Sequence, residues 1–164
     1  MSADELVDLV DEDDRVLEVV TRAEMRSRGG TARHRACYVA VLTSADEVVV
    51  HRRAPWKDVY PGWWDICFGG VLGAGEPWPD AARRELLEEA GVEAEPAELA
   101  ATAWEAPGVK LNARVFLAHS DGPFTCPDGE VVEVATVPRA DLAAWVARHD
   151  VCPDSVDLVL PRLA

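Results

Sequence analysis

The feature that most constrains this chain is a glycine-rich loop followed at once by a helix with an acidic face. Four glycines lie between residues 69 and 75, so the backbone there must bend freely or approach another group closely. The next segment places Ala82, Leu86 and Ala90 on one helical stripe. Gly91 follows where a helix-ending glycine belongs. We therefore predict a helix over residues 79–90.

Three glutamates share the polar face of that helix. Glu85, Glu88 and Glu89 stand at i, i+3 and i+4, so their carboxylates emerge on one side. Like charges at this spacing destabilise an isolated helix by about 0.2–0.5 kcal/mol per pair, and pairing of Arg84 with Glu88 relieves only part of this. Such a cluster indicates either a solvated face or a site for a hard divalent cation with oxygen ligands.

The overall charge limits the partners that this chain can have. Sixteen basic residues stand against thirty acidic ones, which gives a net charge of −14. A protein this acidic repels nucleic-acid backbones and anionic membranes, and we expect neither as a partner. Phosphorylated small molecules are repelled too unless a cation lies between them and the protein. The basic residues concentrate in residues 22–35 and at Arg52, Arg53 and Lys57, where they are either solvated or available to substrate phosphates or a protein partner.

Length and cysteine content fit one ordinary domain spanning residues 1–164. A chain of 164 residues buries a core large enough to need no disulfide or structural metal. Its four cysteines are scattered without a Cys-x-x-Cys pair, so we expect reduced thiols. The acidic start lacks the order of a signal peptide, and no apolar run approaches membrane-spanning length, so we expect a cytoplasmic protein.

Strands and helices alternate irregularly along the chain. We expect residues 1–14, which are rich in acids, to be frayed or loosely packed, and residues 21–28 to form a helix capped by Thr21. A second helix is expected over 138–148, and a turn with an apolar end from Val151. Strand composition marks residues 15–20, 36–42, 48–52, 63–68, 99–104, 113–119 and 131–137. The pattern predicts an α+β protein with a mixed β-sheet flanked by helices.

The loop and helix together match a longer pattern, Gly-x5-Glu-x7-Arg-Glu-U-x-Glu-Glu-x-Gly-U, where U is apolar. It begins at Gly70, continues through Glu76 and Arg84, and ends at Val92 with no position missing. The pattern resembles the signature of the Nudix hydrolases. The resemblance extends over residues 34–148 and implies the Nudix fold, an α/β/α sandwich, with residues 1–30 as an N-terminal extension containing a strand and a short helix.

The resemblance also implies an activity and a set of roles. Family members use Mg²⁺ or Mn²⁺ and water to cleave a diphosphate linkage at phosphorus, commonly in a nucleoside diphosphate joined to another moiety. The implied metal ligands are the Gly70 carbonyl and the carboxylates of Glu85, Glu88 and Glu89, directly or through water. Arg84 would orient Glu85, and Glu76 would brace the loop against the helix. Homodimerisation is compatible with the fold by analogy.

The general base has several candidates. Family members take it either from the signature or from a glutamate on a later loop. Glu85 is the candidate within the signature. Glu130, directly after the turn at residues 127–129, is the loop candidate, and Glu133 is the next. The alternative for Glu130 is an exposed loop carboxylate without a catalytic role.

Two other functions compete with hydrolysis. The N-terminal part also resembles the isopentenyl-diphosphate isomerase branch, and His34 falls at one of its metal histidines. The catalytic cysteine of that enzyme falls on Gly69 rather than on Cys67, its second histidine on Val71, and its catalytic glutamate near Leu111. Three of the four required groups are therefore absent, and we interpret His34 as structural.

The second competitor is a nucleotide-binding module without turnover, which would have no need for an intact glutamate cluster. Six tryptophans bear on the binding site in either case. Trp63 and Trp64 are adjacent in a predicted strand, so their side chains point to opposite faces. Trp56, Trp78 and Trp104 are candidates to line a substrate pocket.

Overall fold

The structure is a computed structural model that describes residues 3–163. One mixed β-sheet is the centre of the fold, and helices pack on it. The strands of the described chain are β1 (Leu6–Val10), β2 (Val16–Thr21), β3 (Arg33–Leu42), β4 (Glu47–Arg53), β5 (Trp64–Asp65), β6 (Phe68–Val71), β7 (Ala97–Ala106), β8 (Val109–His119) and β9 (Val131–Pro138). The helices are α1 (Arg22–Arg28), α2 (Trp78–Glu85), α3 (Leu142–Val146), α4 (Pro153–Leu158) and α5 (Leu160–Leu163).

Strand β3 is the central strand of this sheet. It pairs in parallel with β8 along its whole length, from Arg33 opposite Lys110 to Leu42 opposite His119. On its other side β3 pairs antiparallel with β6, and near its start with β1. Strand β7 pairs with β8, while β5 and β9 both pair with β4. The apolar run of β3 suits a strand that is covered on both faces.

Alternate residues of β3 enter two separate cores. Cys37, Val39 and Val41 pack on the face covered by α2. Tyr38 and its alternate neighbours pack on the opposite face, against residues from α3, α4 and α5. This two-sided packing follows from the two-residue period of a strand and makes the fold an α/β/α sandwich, as predicted.

The prediction of a frayed or loosely packed start over residues 1–14 was wrong for residues 6–10, and residues 1 and 2 lie outside the described residues. Residues 6–10 form β1, in which Val7 and its successors are buried. Asp8 is itself buried, and its Oδ2 accepts hydrogen bonds from Arg35 Nη1 (3.0 Å) and from the Gly75 backbone N–H (2.9 Å). Asp8 is the one acid among the five residues of β1 and is paired inside the protein, and the acids on both sides of the strand concealed it.

Three further expectations differ from the structure. The strand expected over 63–68 is divided into β5 and β6, because the Asp65 side chain accepts hydrogen bonds from the Ile66 and Cys67 backbone N–H groups and turns the chain. The end of the chain, expected as a turn with an apolar end, contains α4 and α5. The helix expected over 138–148 is a 3₁₀ turn, Arg139–Asp141, followed by the short α3.

The expected cap of α1 and the expected hairpin after β3 are confirmed. The Thr21 side chain accepts a hydrogen bond from the Glu24 backbone N–H (3.1 Å) and caps α1. Strands β3 and β4 form the expected hairpin through residues 43–46. All four cysteines are free thiols. Across residues 3–163, no helix has the length and apolar character required to cross a membrane.

Candidate active site

The helix that carries the glutamates changes its winding at the glutamates themselves. It begins with Pro79 in its first turn and Asp80 near its positive end, and it is α-helical up to Glu85. Residues Leu86–Ala90 then form a π-helical turn, which ends at Gly91 with a left-handed φ of 71°. The sequence predicted one continuous α-helix here. Single π turns within α-helices are frequent at functional sites.

Because of this geometry the three glutamates have different environments. Glu85 and Glu89 are buried, at 6% and 5% exposed, whereas the Glu88 side chain is 47% exposed. The Glu89 Oε2 accepts a hydrogen bond from the Gly69 backbone N–H (2.9 Å). Burial, together with the nearby Glu85 carboxylate, raises the pKa of Glu89 to about 8. Burial also raises the pKa of Glu85.

Gly70 lies directly against the Glu85 carboxylate. A Cβ atom at Gly70 would stand 2.8 Å from Glu85 Oε1 and 3.1 Å from its Cδ. Only a residue without a side chain lets β6 pass this close to the carboxylate without moving it. The glycine loop and the glutamate helix are thus in van der Waals contact at this point.

Arg84 joins the glycine loop to the helix. Its guanidinium donates from Nε and Nη2 to Glu76 (2.7 and 2.9 Å) and from Nη1 to Glu85 Oε1 (2.8 Å) and Glu88 Oε2 (3.2 Å). Glu76 in turn accepts from the Gly73 backbone N–H (2.9 Å). A fork of charge-assisted hydrogen bonds such as this holds the Glu85 carboxylate in one orientation.

A later loop brings two more acids to Glu89. Ligand oxygens of Glu89, Asp128 and Glu130 all lie within 4.8 Å of one another. The Glu130 carboxylate also forms an ion pair with the Lys57 ammonium. The sequence predicted Glu130 but not Asp128, which belongs to the turn before it. The sequence signal that could have identified Asp128 is its position in an Asp-Gly turn, two residues before Glu130. A turn this tight brings the two side chains near each other.

Glu133, the last base candidate, lies elsewhere. It is on β9 opposite Arg52, and its carboxylate is 3.9 Å from the Arg52 guanidinium. The side chain is half exposed and lines a groove with Trp64 and Trp145. The structure therefore does not bring Glu133 together with Glu89, Asp128 and Glu130.

The acidic residues suit a hard divalent cation. Glu85 and Glu89 are both buried; Arg84 pairs with Glu85, and a bound cation would stabilise the ionised form of Glu89, which burial disfavours. The available donors are carboxylate and backbone carbonyl oxygens, the ligands that Mg²⁺ and Mn²⁺ prefer. Partial exposure of Glu88 and Glu130 leaves one side of the site open.

A cavity of about 230 Å³ adjoins this site at Gly69 and Gly70. Its other walls come from α1, β3, the loop between β4 and β5, and residues of β5, β7, β8 and α4. Four cationic side chains line it, from Arg22, Arg26, Arg53 and Lys57. Three aspartates, Asp58, Asp65 and Asp154, line it too, so the charges of the lining nearly balance, in contrast with the net charge of −14 for the whole protein.

Comparison with known proteins identifies the family. Residues 32–155 match the NUDIX domain. The chain belongs to the Nudix hydrolase family. It is 42% identical over 154 residues to PA4841 of Pseudomonas aeruginosa, an uncharacterized Nudix hydrolase, with 93% of this chain and 89% of that protein covered. It is 34% identical over 157 residues to YfcD of Escherichia coli K12, also an uncharacterized Nudix hydrolase, with 95% and 85% covered.

A solved structure supports the fold. The crystal structure of DR0079 from Deinococcus radiodurans superposes with a TM-score of 0.79 at 24% sequence identity, covering 94% of this chain and 97% of that one. An identity this low shows only that the two chains share a fold. Together with the family match, it establishes the Nudix α/β/α sandwich for this chain.

The positions that an isomerase of this superfamily would use lie along the same cavity of this Nudix hydrolase. Gly69, Val71 and Leu111 all line it, and none of them carries an acid–base group. Cys67 lines it as well, but burial and the neighbouring Asp65 carboxylate raise the pKa of its thiol well above the ordinary value. A thiol held in its neutral form is a poor nucleophile and a poor base.

The tryptophan candidates have three different locations. Trp104 lines the cavity, and its indole N–H donates to Asp157 Oδ2 (2.9 Å). Trp56 is 63% exposed near Lys57 and Glu130. Trp78 is buried in the core, with the Arg114 guanidinium over its ring at 4.9 Å. The expectation that Trp78 lines the pocket was therefore wrong, because its ring closes the first turn of α2 against the sheet.

Proposed function

We propose that this Nudix hydrolase is a Mg²⁺- or Mn²⁺-dependent pyrophosphohydrolase whose substrate is a nucleoside diphosphate joined to another moiety. The observation that carries the proposal is the contact between a buried carboxylate site and a cavity lined by four cations. Diphosphates require both features, since the cations attract the phosphates and the carboxylates hold the metal. The catalytic domain is taken as residues 34–148, with residues 1–30 as its extension.

In this proposal Glu85, Glu88, Glu89 and the Gly70 carbonyl hold the metal, directly or through water. Asp128 joins them because of its place beside Glu89. A bound divalent ion supplies charge neutralisation of the diphosphate and a water of lowered pKa. Arg84 keeps Glu85 oriented, and the cavity cations Arg53 and Lys57 bind phosphate oxygens, which lowers the charge repulsion on attack.

Two of the base candidates remain in the proposal. Glu85 is held by Arg84, so its carboxylate is fixed but already engaged in an ion pair. Glu130 is near Glu89 and is paired with Lys57, from which an incoming phosphate could release it. Either carboxylate would accept the proton that the attacking water loses when that water lies within hydrogen-bond reach of it.

The test is hydrolysis of a panel of nucleoside diphosphate compounds and dinucleotides with Mg²⁺ or Mn²⁺. We expect turnover that EDTA abolishes and that Glu85→Gln or Glu89→Gln lowers by about 100-fold or more, since each substitution removes a negative ligand. Glu88→Gln and Glu130→Gln are also expected to lower it. In ¹⁸O-labelled water, one phosphate product should gain a single label.

The matched control is Glu93→Gln, which removes an exposed glutamate just after the same helix. It should retain the wild-type rate, and circular dichroism should show the same fold in all variants. Wild-type rates in Glu85→Gln and Glu89→Gln would refute the proposal. Tight nucleotide binding without any turnover would instead favour the non-catalytic binding module.

A further inference from the structure

The cavity has a second polar region that the diphosphate chemistry does not use. Tyr38, Asp65, Cys67 and Asp154 line it on the sheet face opposite α2. We call Asp65 and Asp154 the carboxyl pair. Asp65 belongs to β5, and Asp154 to the first turn of α4. Two acids inside a cavity whose other charged groups are mostly cationic require a reason beyond phosphate binding.

Asp154 has one carboxylate oxygen without a donor. Its Oδ2 accepts a hydrogen bond from the Tyr38 hydroxyl (2.9 Å). Its Oδ1 is buried and finds no hydrogen-bond partner within the described chain. An unpaired buried acceptor is unfavourable, so this oxygen favours a ligand that brings a donor.

Asp65 has more partners than Asp154, because the Cys67 thiol lies 3.4 Å from its Oδ1 and the side chains of Ser155 and Cys152 also interact with its carboxyl group. Its Oδ1 accepts from the Ile66 and Cys67 backbone N–H groups, at 2.8 and 3.3 Å. Its Oδ2 is 4.0 Å from the Arg53 guanidinium, which is beyond hydrogen-bond distance. Arg53 donates instead to the Val59 carbonyl (3.0 and 3.2 Å). The carboxyl pair therefore offers one unpaired acceptor, Asp154 Oδ1, with the Asp65 carboxyl group lining the same cavity.

The ionisation of the pair fits this arrangement. Burial, together with the Asp154 charge, raises the pKa of Asp65 to about 6, and burial raises the pKa of Asp154. The two acids hold at most one proton between them near neutral pH, so at least one carboxylate remains an acceptor for a donor group on a ligand.

We propose that the carboxyl pair selects substrates whose nucleobase carries an exocyclic amino group, and so determines the specificity of the hydrolase. The inference rests on the proposed function in taking the ligand to be a nucleotide. An amino group donates to carboxylate oxygens, whereas an oxo group in the same place sets its lone pairs against them. Trp104 and Tyr60 also line the cavity and supply aromatic surface for a base.

The test uses nucleotides that differ only at this group: cytidine against uridine compounds, and adenosine against inosine compounds, with the same leaving group. We expect the amino member of at least one pair to have a kcat/KM about 100-fold higher, because sites built on buried hydrogen bonds discriminate strongly. Calorimetric binding of the matching nucleoside monophosphates should show the same preference without turnover.

Asp154→Asn replaces one acceptor oxygen with a donor NH₂ group. It should lower kcat/KM at least 10-fold for the amino compound and leave that of the oxo compound unchanged or higher, a reversal that a purely structural defect would not produce. Asp65→Asn is the second variant. Asp150→Asn, an exposed acid just before α4, is the control and should retain the wild-type preference.

The outcomes separate the two proposals. Metal-dependent hydrolysis of both members of every pair at equal rates would overturn this inference and leave the proposed function standing. Selective binding of amino compounds without hydrolysis of any diphosphate would support the carboxyl pair and refute the proposed function. A wild-type preference for oxo compounds overturns the inference whether or not the variants fold.

Discussion

At the scale of single residues, Gly70 controls where the Glu85 carboxylate can lie. We predict that Gly70→Ala lowers turnover about 10- to 100-fold, because the new Cβ stands 2.8 Å from Glu85 Oε1 and must displace it. The atom displaced is the end of a flexible side chain, so the free energy of unfolding should fall by no more than about 1 kcal/mol. Steady-state kinetics and urea denaturation measure the two effects.

Gly73→Ala is the matched control for this prediction. A Cβ at Gly73 would lie 3.6 Å from its nearest neighbour, an ordinary contact, in the same loop. It should therefore retain most of the activity. Equal losses in the two variants would mean that loop flexibility, rather than the position of Glu85, controls the rate.

His51 is a residue-scale case in which burial determines behaviour with pH. It is fully buried on β4, stacked on Phe68 at 4.5 Å between ring centroids, and its Nδ1 has no hydrogen-bond partner in residues 3–163. Burial lowers the pKa of His51 from 6.5 to about 3. Below about pH 6.5, His51 is therefore protonated in the unfolded chain but neutral in the folded chain. The free energy of unfolding falls as the pH drops from about 6.5 toward 3.

We predict that wild type loses about 2 kcal/mol more than His51→Leu in free energy of unfolding between pH 7.5 and pH 5. Urea denaturation at both values measures this difference between the two proteins. Comparing them cancels the contributions of the carboxyl groups that both contain. Parallel stability curves would show that His51 does not contribute to the acid sensitivity.

At the scale of elements, β1 is attached to both the sheet and the glycine loop through Asp8. We predict that Asp8→Asn lowers the free energy of unfolding by about 2 kcal/mol, since it removes one charge of a buried ion pair while Arg35 keeps Asp14 as a partner. Thermal or urea denaturation measures the loss.

Asp13→Asn is the control for the Asp8→Asn prediction. The Asp13 side chain is 70% exposed and pairs with Arg15 at the surface. Such pairs contribute little, so the change should stay within about 0.5 kcal/mol. If Asp8→Asn were as mild as Asp13→Asn, β1 would be attached by its apolar residues alone.

Elements with a local cause were predictable from the sequence. The cap at Thr21, the β3–β4 hairpin and the helix ending at Gly91 all follow from residues close together in the chain. Strand β1 was not predictable, because the groups that pair with Asp8 come from distant positions, Arg35 and Gly75. The short helices α4 and α5 have six and four residues, too few to show a helical period.

The residues of the site also divide into those that a local sequence pattern predicts and those that it does not. Glu85, Glu88 and Glu89 are recognisable by their spacing within one helix, and Glu130 by its likeness to a family pattern. Asp128 belongs to a turn whose local role hides its place beside Glu89. Asp154 is brought to Tyr38 only by the packing of α4 against β3, which no local pattern predicts.

At the scale of the whole molecule, most of the acidic residues behind the net charge of −14 are spread over the surface, while Glu85 and Glu89 are buried in the site. We predict that Mg²⁺ raises the melting temperature beyond what its ionic strength does, because a bound ion stabilises the folded state. At 100 times the dissociation constant the gain is about 2.7 kcal/mol. For a chain of this length that corresponds to about 5–10 °C.

Two comparisons isolate the bound ion from general screening. NaCl at equal ionic strength should produce a smaller shift, and Glu89→Gln should lose the extra shift while Glu93→Gln retains it. Differential scanning calorimetry, without substrate, measures all of them. An equal Mg²⁺ effect in Glu89→Gln would mean that the ion screens the surface and does not occupy the site.

The parallel pairing of β3 with β8 has a consequence for the order in which the protein folds. The two strands meet with residue 33 opposite residue 110, and the glycine loop and glutamate helix lie within the chain between them. Closing a loop of this size is entropically costly, and non-local parallel pairing is slow. A nascent chain that ends before β8 therefore contains every residue of the signature but lacks the pairing of β3 with β8 that completes the sheet beneath them. We expect refolding experiments to show metal affinity emerging only with the sheet, so that assembly of the site is a late event in folding.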